Sequence, residues 1–131
     1  MNTILRGGWG LKAAGAIGLV FGLLTIFSGG MALFGGEAAR AAVGNAVPFV
    51  LWFNFIAGFF YVLAGMGLLL KRRSAVWLSV AIAVATALVL AAFGLHVAGG
   101  GLYEMRTVGA MLLRLAVWTT IATVSWRSMR P

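Results

Sequence analysis

The chain of 131 residues is 63% hydrophobic and 9% charged, with a mean hydropathy of +1.06, which excludes an ordinary water-soluble domain. Ten Lys and Arg against two acids give a net charge of +8 and a pI near 11.8. There is no cysteine, which excludes disulfides, thiolate metal sites, iron–sulfur clusters and thiol redox chemistry.

Arg6 and Lys12 come first, and residues 13 to 36 then carry no Lys, Arg, Asp or Glu. That run exceeds the roughly 20 residues a helix needs to cross a hydrocarbon core, so a helix over 11–34 is expected. A basic start followed by AAGAIGLVFGLLTIF has the outline of a signal peptide, but MALF prolongs the apolar run without a small-x-small cleavage signal. The segment is therefore expected to stay as a span. Gly15, Gly18 and Gly22 give it a smooth stripe, continued by Thr25 and Gly29, along which another backbone can approach closely. No Lys-Ser or Lys-Thr follows these glycines, so they are no phosphate loop.

Residues 41 to 70 form the second charge-free run, with a helix expected over 47–70. Pro48 falls in its first turn, where a missing N–H loses no bond. Gly58 and Gly65 read as packing positions, and Asn54, Ala57, Tyr61 and Ala64 form its polar-bearing face. After the turn Lys71-Arg72-Arg73 comes a third helix, expected over 75–97, whose stripe is Ser79, Ile82, Thr86, Val89, Phe93, His96 and Gly100. The fourth, expected over 106–126, is interrupted by Arg114 and carries the stripe Glu104, Thr107, Met111, Arg114, Trp118, Ile121 and Ser125. Runs such as AVWLSVAIAVATALVLAAFGL are apolar on all faces instead of alternating, so helices and not barrel strands are expected. The fold class is all-α: a single transmembrane domain over 1–131, built as a bundle of four transmembrane helices.

Basic residues set the expected orientation. Arg6, Lys12, Lys71, Arg72, Arg73, Arg127 and Arg130 fall on one side, and only Arg40 and Arg106 on the other, with Glu37 and Glu104 nearby. Both termini and the KRR turn are then cytoplasmic, in a multi-pass protein of the inner (plasma) membrane. Trp9, Trp77 and Trp126 come to the same interface. The positive charge is topogenic, being spread over three segments, so no nucleic-acid partner is expected; KRR instead meets anionic headgroups of the bilayer.

The basic start, a first helix ending in FSGGMALFGG, a second reading FNFIAGFFYVLAGMGLLLKRR, and short loops throughout resemble the DoxX-like group of small four-helix bacterial inner-membrane proteins. The resemblance covers most of the chain but not YEMRTVGAMLLRLAVW, and no catalytic residue is carried over. It implies an accessory or redox-associated membrane subunit, in some members linked to quinones.

A polar group aimed at lipid has no partner, so the four polar faces are expected to converge. Thr25, Ser28, Asn54, His96 and Arg114 all fall in the half of the bundle away from the cytoplasm. They suggest an outer pocket lined by His96, Asn54 and Arg114 with Glu104 and Tyr103, in which Arg114 faces the interior and pairs with Glu104 or another acceptor at that level. Such a pocket suits an anionic or quinone-like headgroup, with Phe93, Trp118 and Tyr61 around an apolar body. The plainer alternative is that the cluster only fixes helix register. Met31, Met105 and Met111 at the level of His96 would suit Cu(I), but methionine also fills apolar gaps. No metal ligand is assigned and no cofactor is expected, with quinone, copper and haem left as alternatives that no motif supports.

Three function classes follow. The leading one is a non-enzymatic accessory or structural subunit, partnered by other membrane subunits or by itself. Its support is the lack of a soluble domain and the glycine stripe. The second is small-molecule or quinone binding or transport through the outer pocket, although a proton-coupled exporter would want an acid inside a helix and both acids here lie in loops or at a helix end. The third is an integral enzyme with His96 and Glu104 as base and orienter, for which no nucleophile is marked.

Overall fold

Long apolar runs without proline leave the backbone no partner but itself, and the chain forms four helices. In a computed structural model, which describes residues 9–38, 41, 44 and 47–129, these are α1 (Trp9–Phe34), α2 (Pro48–Leu69), α3 (Arg73–Ala98) and α4 (Met105–Met129). All four are long and apolar enough to cross a membrane, and the described residues contain no strand. Arg6, Arg40 and Arg130, three of the charges used for orientation, lie outside the described residues.

The helix ends follow local rules. Pro48 opens α2 after an extended Val47, as its fixed φ favours. At the other end Arg72 N–H donates to Gly67 O (2.8 Å) and Lys71 N–H to Leu68 O (3.0 Å), with Lys71 at φ +57°. This is a Schellman turn in which a lysine occupies the left-handed position usually given to glycine. The end of α3 repeats the motif with the expected residue: Gly101 N–H donates to His96 O (2.9 Å), Gly100 N–H to Val97 O (3.0 Å), and Gly100 has φ +85°. Thr107 N–H donates to Glu104 O (3.0 Å) to start α4, placing the carboxylate of Glu104 at the positive end of that helix.

Short connections make the helices antiparallel, and α1 packs on α2, α2 on α3, α3 on α4 and α4 on α1. The α1–α2 contact is the closest. A Cβ on Gly65 would stand 2.5 Å from Leu19 N and 2.7 Å from Gly15 O, and one on Gly22 would stand 2.8 Å from Val62 N and 2.9 Å from Gly58 O. Backbone thus rests on backbone, as small residues permit in lipid, where tight packing must replace the hydrophobic drive. Trp118 of α4 lies over Gly18, where an added Cβ would be 3.1 Å from the indole.

The core falls into two parts. The larger joins Leu11, Ala14, Ala57, Tyr61, Ala64, Leu68, Val76, Ile82, Trp118 and Ile121; the smaller, toward the α3–α4 turn, joins Val47, Val50, Phe93 and Met111. Asn54, Thr86 and Arg114 occur between them along α2, α3 and α4. Outside, Leu24, Phe27, Leu88 and Leu95 are 64 to 75% exposed, a surface that water would penalise and lipid would not. Trp77 and Trp126 form an edge-to-face pair (5.1 Å, 90°) at the end that also carries Trp9, Lys12, the KRR turn and Arg127. There an Arg73 Nη donates to Met129 O (3.4 Å).

Candidate functional site

Between the halves of α1, α2 and α4 remote from the KRR turn lies a cavity of about 320 Å³. From α1 it is lined by Thr25, Ser28, Gly29 and Ala32, from α2 by Val50, Leu51 and Asn54, and from α4 by Glu104, Arg106, Thr107, Ala110 and Arg114. Small side chains on α1 and at Ala110 hold the space open, and polar groups come from one face of each helix, as the 3.6-residue period requires.

Arg114 forms the floor. One Nη donates to Ala110 O one turn back (3.3 Å), the guanidinium carbon lies 5.7 Å from the centre of the Phe21 ring, and Nε is buried without a partner. A charge in the middle of a span costs about 2.5–3.5 kcal/mol on insertion scales. The Phe21 face returns about 0.5–2 kcal/mol of that. Just inward, the fully buried Tyr61 ring stacks obliquely on Trp118 (4.7 Å, 31°) and packs on Phe21 (5.7 Å). Its hydroxyl is near Arg114 and Thr86 without a well-formed hydrogen bond to either, Thr86 having spent its own proton on Ile82 O (2.7 Å). Asn54 Oδ1 and Trp118 Nε1 are also buried without partners. Each such atom costs about 1–3 kcal/mol if it stays dry and alone; of these residues Asn54 and Arg114 line the cavity, while Tyr61 and Trp118 lie behind it in the core.

Of the five residues expected to line a polar pocket, Asn54, Glu104 and Arg114 line this cavity. His96 and Tyr103 do not: α3, which carries His96, contributes nothing to the lining, and Tyr103 lies in the turn between α3 and α4. His96 occupies the last turn of α3, and its ring folds down over Gly101, whose missing side chain leaves room for it; Nε2–H donates to Leu102 O (2.9 Å) and Phe49 meets the ring edge-on (6.3 Å). Tyr103 packs edge-on against Phe93 (6.1 Å, 78°). Of the two partners expected for Arg114, it meets another acceptor at that level, Ala110 O, and not Glu104. Ten helical residues separate the two by about 15 Å, more than their side chains bridge. Instead, the carboxylate of Glu104 lies beside Gly44, where an added Cβ would be 3.2 Å away. Met111 is buried in the smaller core, while Met31 and Met105 are exposed, so the thioethers and the imidazole have separate surroundings.

Gly15, Gly18 and Gly22, with Gly58 and Gly65 opposite, lie at contacts of α1 with α2 and α4 inside this chain. Phe21 is the functional neighbour that sequence reading passed over, since nothing in LVFGLL distinguishes a phenylalanine beneath an arginine from one in lipid. Comparison with protein-family models, curated proteins and solved structures gives no match.

Proposed function

We propose that this chain is a four-span protein of the plasma membrane, with both termini cytoplasmic, that holds a small amphiphilic molecule in the cavity between α1, α2 and α4. One observation carries the reading: a cavity of about 320 Å³ beside the unpartnered Asn54 Oδ1 and Arg114 Nε. The volume is at the lower end of that of ligand pockets, enough for a head and the start of a tail. Lys12, Lys71, Arg72, Arg73 and Arg127 share one end of the bundle, which supports a cytoplasmic placement of that end and an outward-facing cavity. The resemblance to DoxX-like proteins is compatible with a quinone or another membrane-soluble guest.

Docking on a larger complex rests on fewer grounds than before, because the glycine stripe, one of its supports, packs against α2 of the same chain. The test is extraction of the gently purified protein with organic solvent and mass spectrometry of the extract, native chain against Ala110→Phe, which fills the cavity. A molecule retained by the native chain and absent from the variant is expected. Equal retention by both, or none by either, would remove the cavity as a binding site. Migration of the native chain with stoichiometric partner subunits would return the accessory reading to first place.

A further inference from the structure

Among the described residues no carboxylate is paired with the charge at the floor of the cavity. Arg114 contacts a carbonyl and an aromatic ring, and Glu104, which lines the same cavity just before α4, is ten residues or about 15 Å of helix rise away. A neutral guest such as a quinone could accept a hydrogen bond from Nε but would leave the charge as it is. An oxygen-bearing anion answers both, and the side-chain amide of Asn54, which lines the cavity with its Oδ1 unpartnered, offers an N–H as a second donor for the same head.

The walls indicate what is attached to that head. α1 and α4 meet at Gly18–Trp118 and Phe21–Arg114. Outward of those contacts, Thr25, Ser28 and Ala32 face Thr107 and Ala110 across the cavity, all small. By helical register Leu24 and Leu113 flank this seam, and they are 64% and 55% exposed. The seam therefore leads sideways from Arg114 into an apolar surface. We infer that the molecule held in the cavity is a single-tailed anionic amphiphile whose head, a carboxylate or comparable oxyanion, sits against Arg114 and Asn54 and whose tail leaves between α1 and α4 into the bilayer. This rests on the cavity being a binding site, and it specifies the guest.

Equilibrium dialysis of labelled laurate, acetate and decylubiquinone against the protein in phosphatidylcholine nanodiscs, with empty nanodiscs as blank, tests it. Laurate should saturate, with acetate and decylubiquinone weaker by about tenfold or more. Arg114→Gln should weaken laurate about tenfold or more, and Asn54→Leu, close to asparagine in size, about threefold to tenfold. Thermal unfolding without laurate should be unchanged or raised by Asn54→Leu, since a buried unpartnered oxygen is removed. Acetate binding as well as laurate would overturn the tail, leaving a site for a free small anion. Decylubiquinone binding without laurate would overturn the anion while the cavity reading survives. Laurate binding that both variants leave intact would place it elsewhere and overturn the inference. So would no binding of any probe, and the Ala110→Phe extraction then decides the cavity reading separately.

Discussion

Arg114 and His96 are both polar residues in apolar helices, yet their surroundings give them different work. His96 ties the last turn of α3 to Leu102 across a glycine turn, a local clamp. His96→Phe should lower the stability of the detergent-solubilised protein by about 1 kcal/mol, with faster amide exchange confined to residues 96–104, and should leave guest retention unchanged. Reduced retention with unchanged stability would put His96 back in the site. For Arg114, a double-mutant cycle with Phe21→Leu should show coupling of about 0.5–2 kcal/mol, whereas the cycle with Glu104→Gln should be additive within about 0.5 kcal/mol. Coupling to Glu104 and not to Phe21 would reverse that assignment. Neither environment can be seen in the sequence, because each depends on a neighbour that arrives from another element: the Leu102 carbonyl for one and the Phe21 ring for the other.

At the scale of the helices, glycine has two opposite meanings that the structure separates. A Cβ at Gly65 would meet the α1 backbone at 2.5 and 2.7 Å, and backbone cannot swing aside. Gly65→Ala should cost about 2 kcal/mol or more by prising α1 from α2. A Cβ at Gly94 on α3 would meet nothing within 4 Å, so Gly94→Ala should stabilise by up to about 1 kcal/mol through helix propensity alone. Equal effects in thermal unfolding would dismiss the tight α1–α2 contact. Lys71 presents the reverse case, a side chain where glycine belongs, and Lys71→Gly should gain about 1 kcal/mol. Much of this scale was legible beforehand: charge-free runs located the spans, and the period from Ser79 through Ile82 and Thr86 to Phe93 marked a face that is indeed buried. The glycine stripe was legible as a contact surface, but its partner was not, since a smooth helix face looks the same whether α2 or another protein covers it.

For the molecule as a whole, charge distribution predicts which end faces the cytoplasm, and the lack of cysteine makes substituted-cysteine labelling clean. Cysteines at the exposed Ala38 and Leu102 should react with an impermeant reagent added to intact cells, and one at the exposed Ser74 should not. Gly101 is unsuitable because the His96 ring lies against it. The reverse labelling pattern would invert the topology and turn the cavity toward the cytoplasm.

The contrast between the two seams of α1 bears on how anything gets in. Against α2 it is held by interlocking main chains over several turns, whereas its recorded contacts with α4 are at Gly18 and Phe21. The α1–α2 hairpin is then expected to be the stationary half, and the α1–α4 seam the one that widens when a guest enters. Spin labels at Leu24 and Leu113 should accordingly report a broader distance distribution than labels at Leu24 and Phe59, and a bound guest should narrow the first while leaving the second alone. Admission from the bilayer would then part α1 from α4 while the interlocked main chains of α1 and α2 stay as they are.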